Sequence, residues 1–323
     1  MEIYLIIIIA VCSILLLLSA FSAICYAFAF SKRYDKNEVL KYYSAPDFGL
    51  DASPVNLHRG KYLLNGFIYK DPSVTPNGAT VVFCHGMGPG HIAYTTEIAY
   101  LCKKGCAVLA VDSFGCNYSE GKSVRGMAEG VKTAYLAAEY AKAFIGGKQI
   151  ILMGHSWGAY SALCASALTR VDKVVAISAP DSPSKTIANG AARVISKPFA
   201  YILRPFWYLI NFFIFGKNGN LKTSKCVKKS GTPTLLVHGD KDDIVSFHNS
   251  AYKKANGGNV TKFLAKDKAH NPYNTANAEQ KLKELTLALA QRKDKSFFDG
   301  FDFKAATEED LEIMQKISDF CEI

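Results

Sequence analysis

From Ile3 to Phe30 the chain carries no charged residue, and the run reads IYLIIIIAVCSILLLLSAFSAICYAFAF. No other feature restricts the fold as much. About 20 apolar residues cross a bilayer as a helix, and this stretch is long enough even with tilt. A cleaved leader is the competing reading, with Ser-Ala-Phe-Ser-Ala at 19–23 loosely resembling a small-residue cleavage site. Against it, no Lys or Arg precedes the run, and a leader's apolar region spans only about 7–15 residues. The expectation is one N-terminal transmembrane helix, with residues 3–30 holding the chain in the membrane. Only Glu2 and the terminal amine precede the span, whereas Lys32, Arg33, Lys36 and Lys41 come after it. The positive-inside rule then puts the bulk of a single-pass cell-membrane protein on the cytoplasmic side.

The 38 Lys and Arg against 28 Asp and Glu give a net charge of +10. The lysines are spread, with small clusters at Lys222-Lys225-Lys228-Lys229, Lys253-Lys254 and Lys262-Lys266-Lys268. Neither an RNP-like aromatic motif nor a zinc finger accompanies them, so nucleic acid is not an expected partner. Beside an anionic leaflet such a surface gains roughly 1 kcal/mol per basic residue held close. Of the nine cysteines, Cys12 and Cys25 lie in the span and the other seven are scattered without a CxxC pair. An odd, scattered set argues against a disulfide framework and against structural zinc. Neither metal nor cofactor is implied, and the sequence is silent on oligomeric state.

After the span, residues 31–60 read as a juxtamembrane linker leading to an antiparallel strand pair near Tyr62–Lys70. A βα rhythm then runs over residues 61–293. Apolar runs at 79–84, 107–111, 150–153, 173–178, 234–237 and 260–264 alternate with helical patterns at 95–103, 127–144, 157–168, 246–255 and 275–292. Fully apolar strands between amphipathic helices define an α/β domain, a mostly parallel sheet with helices on both faces. Residues 181–230 break the rhythm. Their aromatic block, Lys197 to Phe215, is interrupted by Pro198, Arg204 and Pro205 and is too short after Pro205 to cross a bilayer. A helical lid over the carboxyl edge of the sheet is expected, inserted in part in the membrane interface; a helix packed into the core is the alternative. Residues 294–323 form a C-terminal helical tail, with Thr307-Glu-Glu-Asp310 as a capping box for its last helix.

Within this frame Gly154-His-Ser-Trp-Gly158 comes directly after the apolar run Gln149–Met153 and opens a helix. Two glycines around one residue mark a turn too tight for a Cβ, and a strand–turn–helix of this kind lifts a serine off the sheet edge as a nucleophile. A serine needs a base and an orienting carboxylate. Of seven histidines, His155 points away inside the turn, and His85 and His238 end strands and hold loops by hydrogen bonding. His58 precedes the sheet, His91 lies in a loop and His248 on a surface helix. His270 comes after the last strand, at the carboxyl edge where such sheets place ligand chemistry. Asp240, Asp242 and Asp243 all lie just beyond the preceding strand, and spacing alone does not choose among them.

The chain resembles the α/β-hydrolase superfamily, in particular its lipase, esterase and serine-aminopeptidase-like branch. The motifs are His85-Gly86 after a strand, Gly154-His-Ser-Trp-Gly158, His238-Gly-Asp-Lys-Asp-Asp-Ile-Val245, and Ala269-His270, in the order Ser, Asp, His over about residues 60–292. Asp112-Ser-Phe-Gly-Cys-Asn-Tyr-Ser119 matches a further family turn, with Asn117 in place of a glycine; asparagine tolerates the left-handed region. The resemblance implies Ser156 as nucleophile, His270 as base, Asp242 as acid, and an oxyanion hole from the backbone N–H groups of Met87 and Trp157. Gly86, Gly88 and Gly90 are then expected to let the first loop approach the substrate. It further implies a membrane-anchored serine hydrolase acting on carboxylic esters or thioesters, with a small-molecule ester or lipid-like substrate. A peptidase or an acyltransferase of the same fold, or a non-catalytic membrane scaffold, are the alternatives. Residues 182–230 hold no Asp or Glu to bind a substrate amine, which disfavours an aminopeptidase.

Overall fold

Strands that are apolar throughout end up at the centre of one sheet, because helices cover both of its faces. The computed structural model describes residues 1–323. Its eight strands are β1 (Asp51–Arg59), β2 (Tyr62–Lys70), β3 (Ala79–Cys84), β4 (Ala107–Val111), β5 (Gln149–His155), β6 (Lys173–Ile177), β7 (Thr234–Gly239) and β8 (Val260–Ala265). They lie in the order β1-β2-β4-β3-β5-β6-β7-β8. β2 runs antiparallel to both neighbours, and every later pairing is parallel. Register aligns the strand ends: Cys84 pairs with Gly154, His155 with Ile177, and Gly239 with Ala265. The carboxyl ends of β3, β5, β6, β7 and β8 therefore finish along one edge.

The helices are α1 (Glu2–Phe30), α2 (Thr95–Lys103), α3 (Ala128–Tyr140), α4 (Trp157–Ala165), α5 (Pro183–Ala191), α6 (Lys197–Ile202), α7 (Arg204–Phe215), α8 (Thr223–Ser230), α9 (Ala251–Lys254), α10 (Ala276–Ala290), α11 (Lys295–Asp299) and α12 (Leu311–Cys321). Residues of α3, α4, α8 and α9 pack on one face of the sheet, and those of α2 and α12 on the other. A third cluster joins the end of α1 to α4, α5, α6 and α7. α1 is one helix long and apolar enough to cross a membrane.

Several expectations change. The stretch 31–60 is not a free linker. β1 already lies within it, and its pattern hid the strand: Pro54 interrupts it and only Val55 and Leu57 are buried, as suits an edge. Nearer the span, the Arg33 guanidinium donates to the carbonyls of Asn117, Ser119 and Gly121, and Tyr34 N–H to Gly115 O at 3.0 Å. The helix expected at 246–255 shrinks to a short turn and α9, which Ser250 caps. The final helix is capped by Asp310, which accepts from Glu312 and Ile313 N–H, rather than by Thr307. That helix is no loose tail, since Ile313, Met314, Ile317 and Cys321 are buried against the sheet.

Just ahead of α12 the chain pairs with the loop after β8: Asp310 N–H donates to Tyr273 O and Thr275 N–H to Glu308 O. Here Glu309 buries an oxygen without a partner. Burial, then the charge of Glu97, pushes its carboxyl up to about 9, and burial pushes Glu97 to about 7. Both folded values exceed the unfolded one of about 4.3, so the pair's contribution is complete below about 4.3 and is lost as pH rises towards 9. Glu309→Gln should therefore raise Tm little at pH 5 and progressively more up to pH 9. Parallel thermal profiles for the two proteins would contradict this.

Candidate active site

The turn after β5 explains its glycines. Ser156 has φ 55° and ψ −116°, a strained conformation for a residue with a side chain. A Cβ at Gly158 would stand 1.9 Å from Cys84 O, and one at Gly154 2.5 Å from Gly158 C. The helix and the β3 strand end thus close on the turn from both sides, and half-buried Ser156 is lifted above the sheet edge at the N-terminus of α4. Ser156, Met87 and Trp157 line one cavity of about 640 Å³, in which 16 of 21 lining residues are hydrophobic and Lys32 is the one charged residue.

Neither Met87 N–H nor Trp157 N–H is used by another group of the protein. His85 accounts for the direction of the first. Its Nε2 accepts from Ser113 N–H at 2.9 Å, so Nδ1 carries the proton and donates to Gly86 O at 2.6 Å. In a trans peptide the carbonyl and the next N–H oppose each other, so a Gly86 carbonyl held by His85 turns Met87 N–H the other way. Of the three loop glycines, Gly86 and Gly90 are needed for packing rather than for approach to a ligand: a Cβ would meet Tyr94 Oη at 2.4 Å and Asp112 Oδ1 at 2.1 Å. Gly88 faces open space.

Asp242 and His270 are in contact. His270 Nδ1 lies 2.9 Å and 3.0 Å from the two Asp242 oxygens, and Oδ1 also accepts from Ile244 and Val245 N–H at 2.9 Å each. The Asp242 side chain is wholly buried. Burial alone would push its carboxyl up, but the hydrogen bond and charge of His270, with Val245 N–H and His238 behind, hold it below the ordinary carboxylate range. Asp240 and Asp243 are exposed. His270 Nε2 and Ser156 Oγ make no hydrogen bond in this structure; contacts of this kind often tighten only when a substrate is bound.

His155 has a larger part than the sequence suggested. Burial, and next to it His270, lowers its pKa to about 3, so the ring is neutral. Its Nε2–H donates to His270 O at 3.0 Å, leaving Nδ1 to accept from Tyr94 O–H at 3.0 Å, and Tyr94 Oη accepts from Gly86 N–H at 3.1 Å. Ser178 O–H also donates to His270 O, at 2.8 Å. One chain of hydrogen bonds therefore ties the loops after β3, β5, β6 and β8. His238, expected to hold a loop, makes no hydrogen bond; it is buried beside Tyr252 with Nδ1 3.8 Å from Asp242. His91 is fully buried between Asp112, at 2.7 Å, and Tyr69 O–H, at 2.8 Å, and braces the 112–119 turn. In that turn Asn117 takes a positive φ of 37°.

The aromatic block does not cover the serine. α5 and the residues after it, Ile187 to Ile195, form that wall, together with the end of α1. α7 instead packs against α1 and α5, burying Trp207 and Asn211.

Residues 81–230 match the Alpha/beta hydrolase family. The esterase Pf2001 of Pyrococcus furiosus superposes with a TM-score of 0.59 at 20% identity, over 80% of this chain and 98% of that one. The alpha/beta hydrolase GrgF of Penicillium sp. sh18 superposes with a TM-score of 0.51 at 17% identity, over 75% and 98%. No curated protein sequence matches the chain. Strand order, the match over residues 81–230 and the superpositions together give the chain an α/β-hydrolase fold, with one N-terminal apolar helix added to it.

Gly158 in the first turn of α4 and Gly88 in the loop after β3 separate packing from open space. Gly158→Ala, driven into the Cys84 carbonyl, should cost about 3 kcal/mol or more in urea denaturation, at the upper end of overpacking. Gly88→Ala should leave the midpoint unmoved.

Proposed function

We propose that the protein is a membrane-anchored serine hydrolase that cleaves carboxylic esters or thioesters through an acyl-enzyme on Ser156. The observation that carries this is the single edge on which a strained serine, two unused backbone N–H groups and a His270 paired with buried Asp242 converge. Ser156 Oγ attacks the substrate carbonyl as its proton passes to His270 Nε2. Asp242 holds Nδ1–H and steadies the imidazolium. The oxyanion accepts from Met87 and Trp157 N–H, at a helix N-terminus whose dipole favours negative charge. The alcohol or thiol leaves with the proton from His270. Water then gives a proton to His270 and attacks the acyl carbon; the acyl–Oγ bond breaks as His270 returns that proton to Ser156 Oγ, which releases the acid and restores the enzyme.

The apolar cavity, free of carboxylates, supports an acyl chain over a peptide amine as its occupant. Acyl transfer to an alcohol uses the same intermediate. For the anchor, the first turns of α1 are exposed on every side, and Lys32, Arg33, Lys36 and Lys41 come after it, which supports a catalytic domain on the cytoplasmic face. The scaffold alternative loses ground, since the last helix spends its apolar side on the protein's own core.

Hydrolysis of p-nitrophenyl butyrate by the full chain in detergent tests the assignment. Ser156→Ala should abolish it, Asp242→Asn should lower kcat about 10⁴-fold by mispositioning the imidazole, and Asp243→Asn should leave it near wild type. His85→Ala should cost about 10²–10³, as for loss of one oxyanion donor. Equal activity in wild type and Ser156→Ala would sink the proposal.

A further inference from the structure

The end of α1 is not a tether. One stripe of it, Ser22, Tyr26 and Phe30, is buried against the domain. Three polar contacts hold that stripe in place: Trp207 Nε1–H donates to Ser22 O at 3.0 Å, and Tyr26 Oη lies 2.7 Å from Asn211 Oδ1 and 3.0 Å from Arg125 O. Buried hydrogen bonds in apolar surroundings are costly to break, so this contact is fixed.

A neighbouring stripe has another use. Phe21, Ile24, Cys25, Phe28 and Ala29 recur at i, i+3, i+4, i+7 and i+8, the spacing of one helix face, and all five line the cavity over Ser156. α5 and the residues after it supply the opposite side. The wall is not closed, because Ile24 is 66% and Phe28 86% exposed, continuous with the apolar surface of the rest of α1. Beside it α7 exposes Leu209, Phe212 and Phe213.

Length sets the depth of this arrangement. At 1.5 Å per residue the 29-residue helix is about 43 Å long, whereas a hydrocarbon core takes about 30 Å. The turns left over are those that line the cavity. The open side of the wall then lies where the helix leaves the bilayer, and its lipid-like surface runs without interruption from the membrane to the serine.

We propose that the last turns of α1 are a specificity-determining wall of the active site, and that the site takes long-chain acyl esters laterally from the leaflet. The chain lies along the Phe21–Ala29 stripe with its carbonyl at Ser156. This rests on the serine-hydrolase reading and adds to it the substrate class and the route.

The test uses the full chain in phosphatidylcholine vesicles, with p-nitrophenyl palmitate and p-nitrophenyl acetate as probes, and reads the palmitate-to-acetate ratio of kcat/KM. Cys25→Trp and Ala29→Trp fill the stripe and should lower that ratio about tenfold or more, the scale of discrimination by apolar pocket shape. Phe28→Ala removes an exposed part of the wall without touching the core and should lower the ratio as well, which keeps the test decisive if the tryptophan variants misfold. Leu15→Trp, on the exposed part of α1 away from the cavity, should leave the ratio unchanged. A wild-type ratio in Phe28→Ala and in whichever tryptophan variants fold overturns the wall while leaving the hydrolase standing. A wild-type chain that cleaves neither ester, and whose Ser156 takes up no fluorophosphonate, overturns both.

Discussion

The contact on which the site depends is the approach of the Gly158 backbone to the Cys84 carbonyl, too close for any side chain between them. It joins the strand end of β3 to the first turn of α4. That union sets the height of Ser156 above the sheet and the distance between its own loop and the loop carrying Met87. Parallel register does the rest, because Cys84 and Gly154 are paired neighbours and the residues after them emerge side by side. A serine at positive φ is tolerable here only because packing from both strands over-determines it.

Around this centre the protein uses neutral histidines as fixed hydrogen-bonding struts. His85 turns the Gly86–Met87 peptide, and His155 links Tyr94 to the backbone of the His270 loop. A neutral ring offers one donor and one acceptor, so each partner's identity fixes the other's role. Burial, which keeps His155 uncharged, also prevents it from competing with His270 for protons near neutral pH. The one carboxylate at the site, Asp242, is kept ionised by partners that outweigh its burial.

Much of this was legible in the sequence, for reasons that differ by element. The central strands are apolar throughout, and Gly154 to Gly158 announces its own turn, so the α/β fold and the loops bearing Ser156, Asp242 and His270 could be read in order. β1 was hidden by Pro54 and by having only two buried residues, which suits an edge strand and leaves little alternation to see. The struts at His85 and His155 leave no periodic signal, since their partners are backbone atoms distant in sequence. The covering role moved from α7 to α5 because α5 is short and weakly apolar, whereas the conspicuous aromatic block spends itself on α1. Least legible of all was the second use of α1. Phe21, Ile24, Cys25, Phe28 and Ala29 suit lipid and an acyl cavity equally well, and only their position over Ser156 tells the two apart.

Covalent chemistry at Ser156 is open to direct observation. The full chain is quenched during turnover of a slowly deacylating ester, and the adduct is mapped by peptide mass spectrometry. The acyl mass is expected on the peptide containing Ser156, chased away with time as free acid appears. Acid release with no adduct at Ser156, or an adduct on another residue that turns over at the same rate, would contradict an acyl-enzyme on this serine.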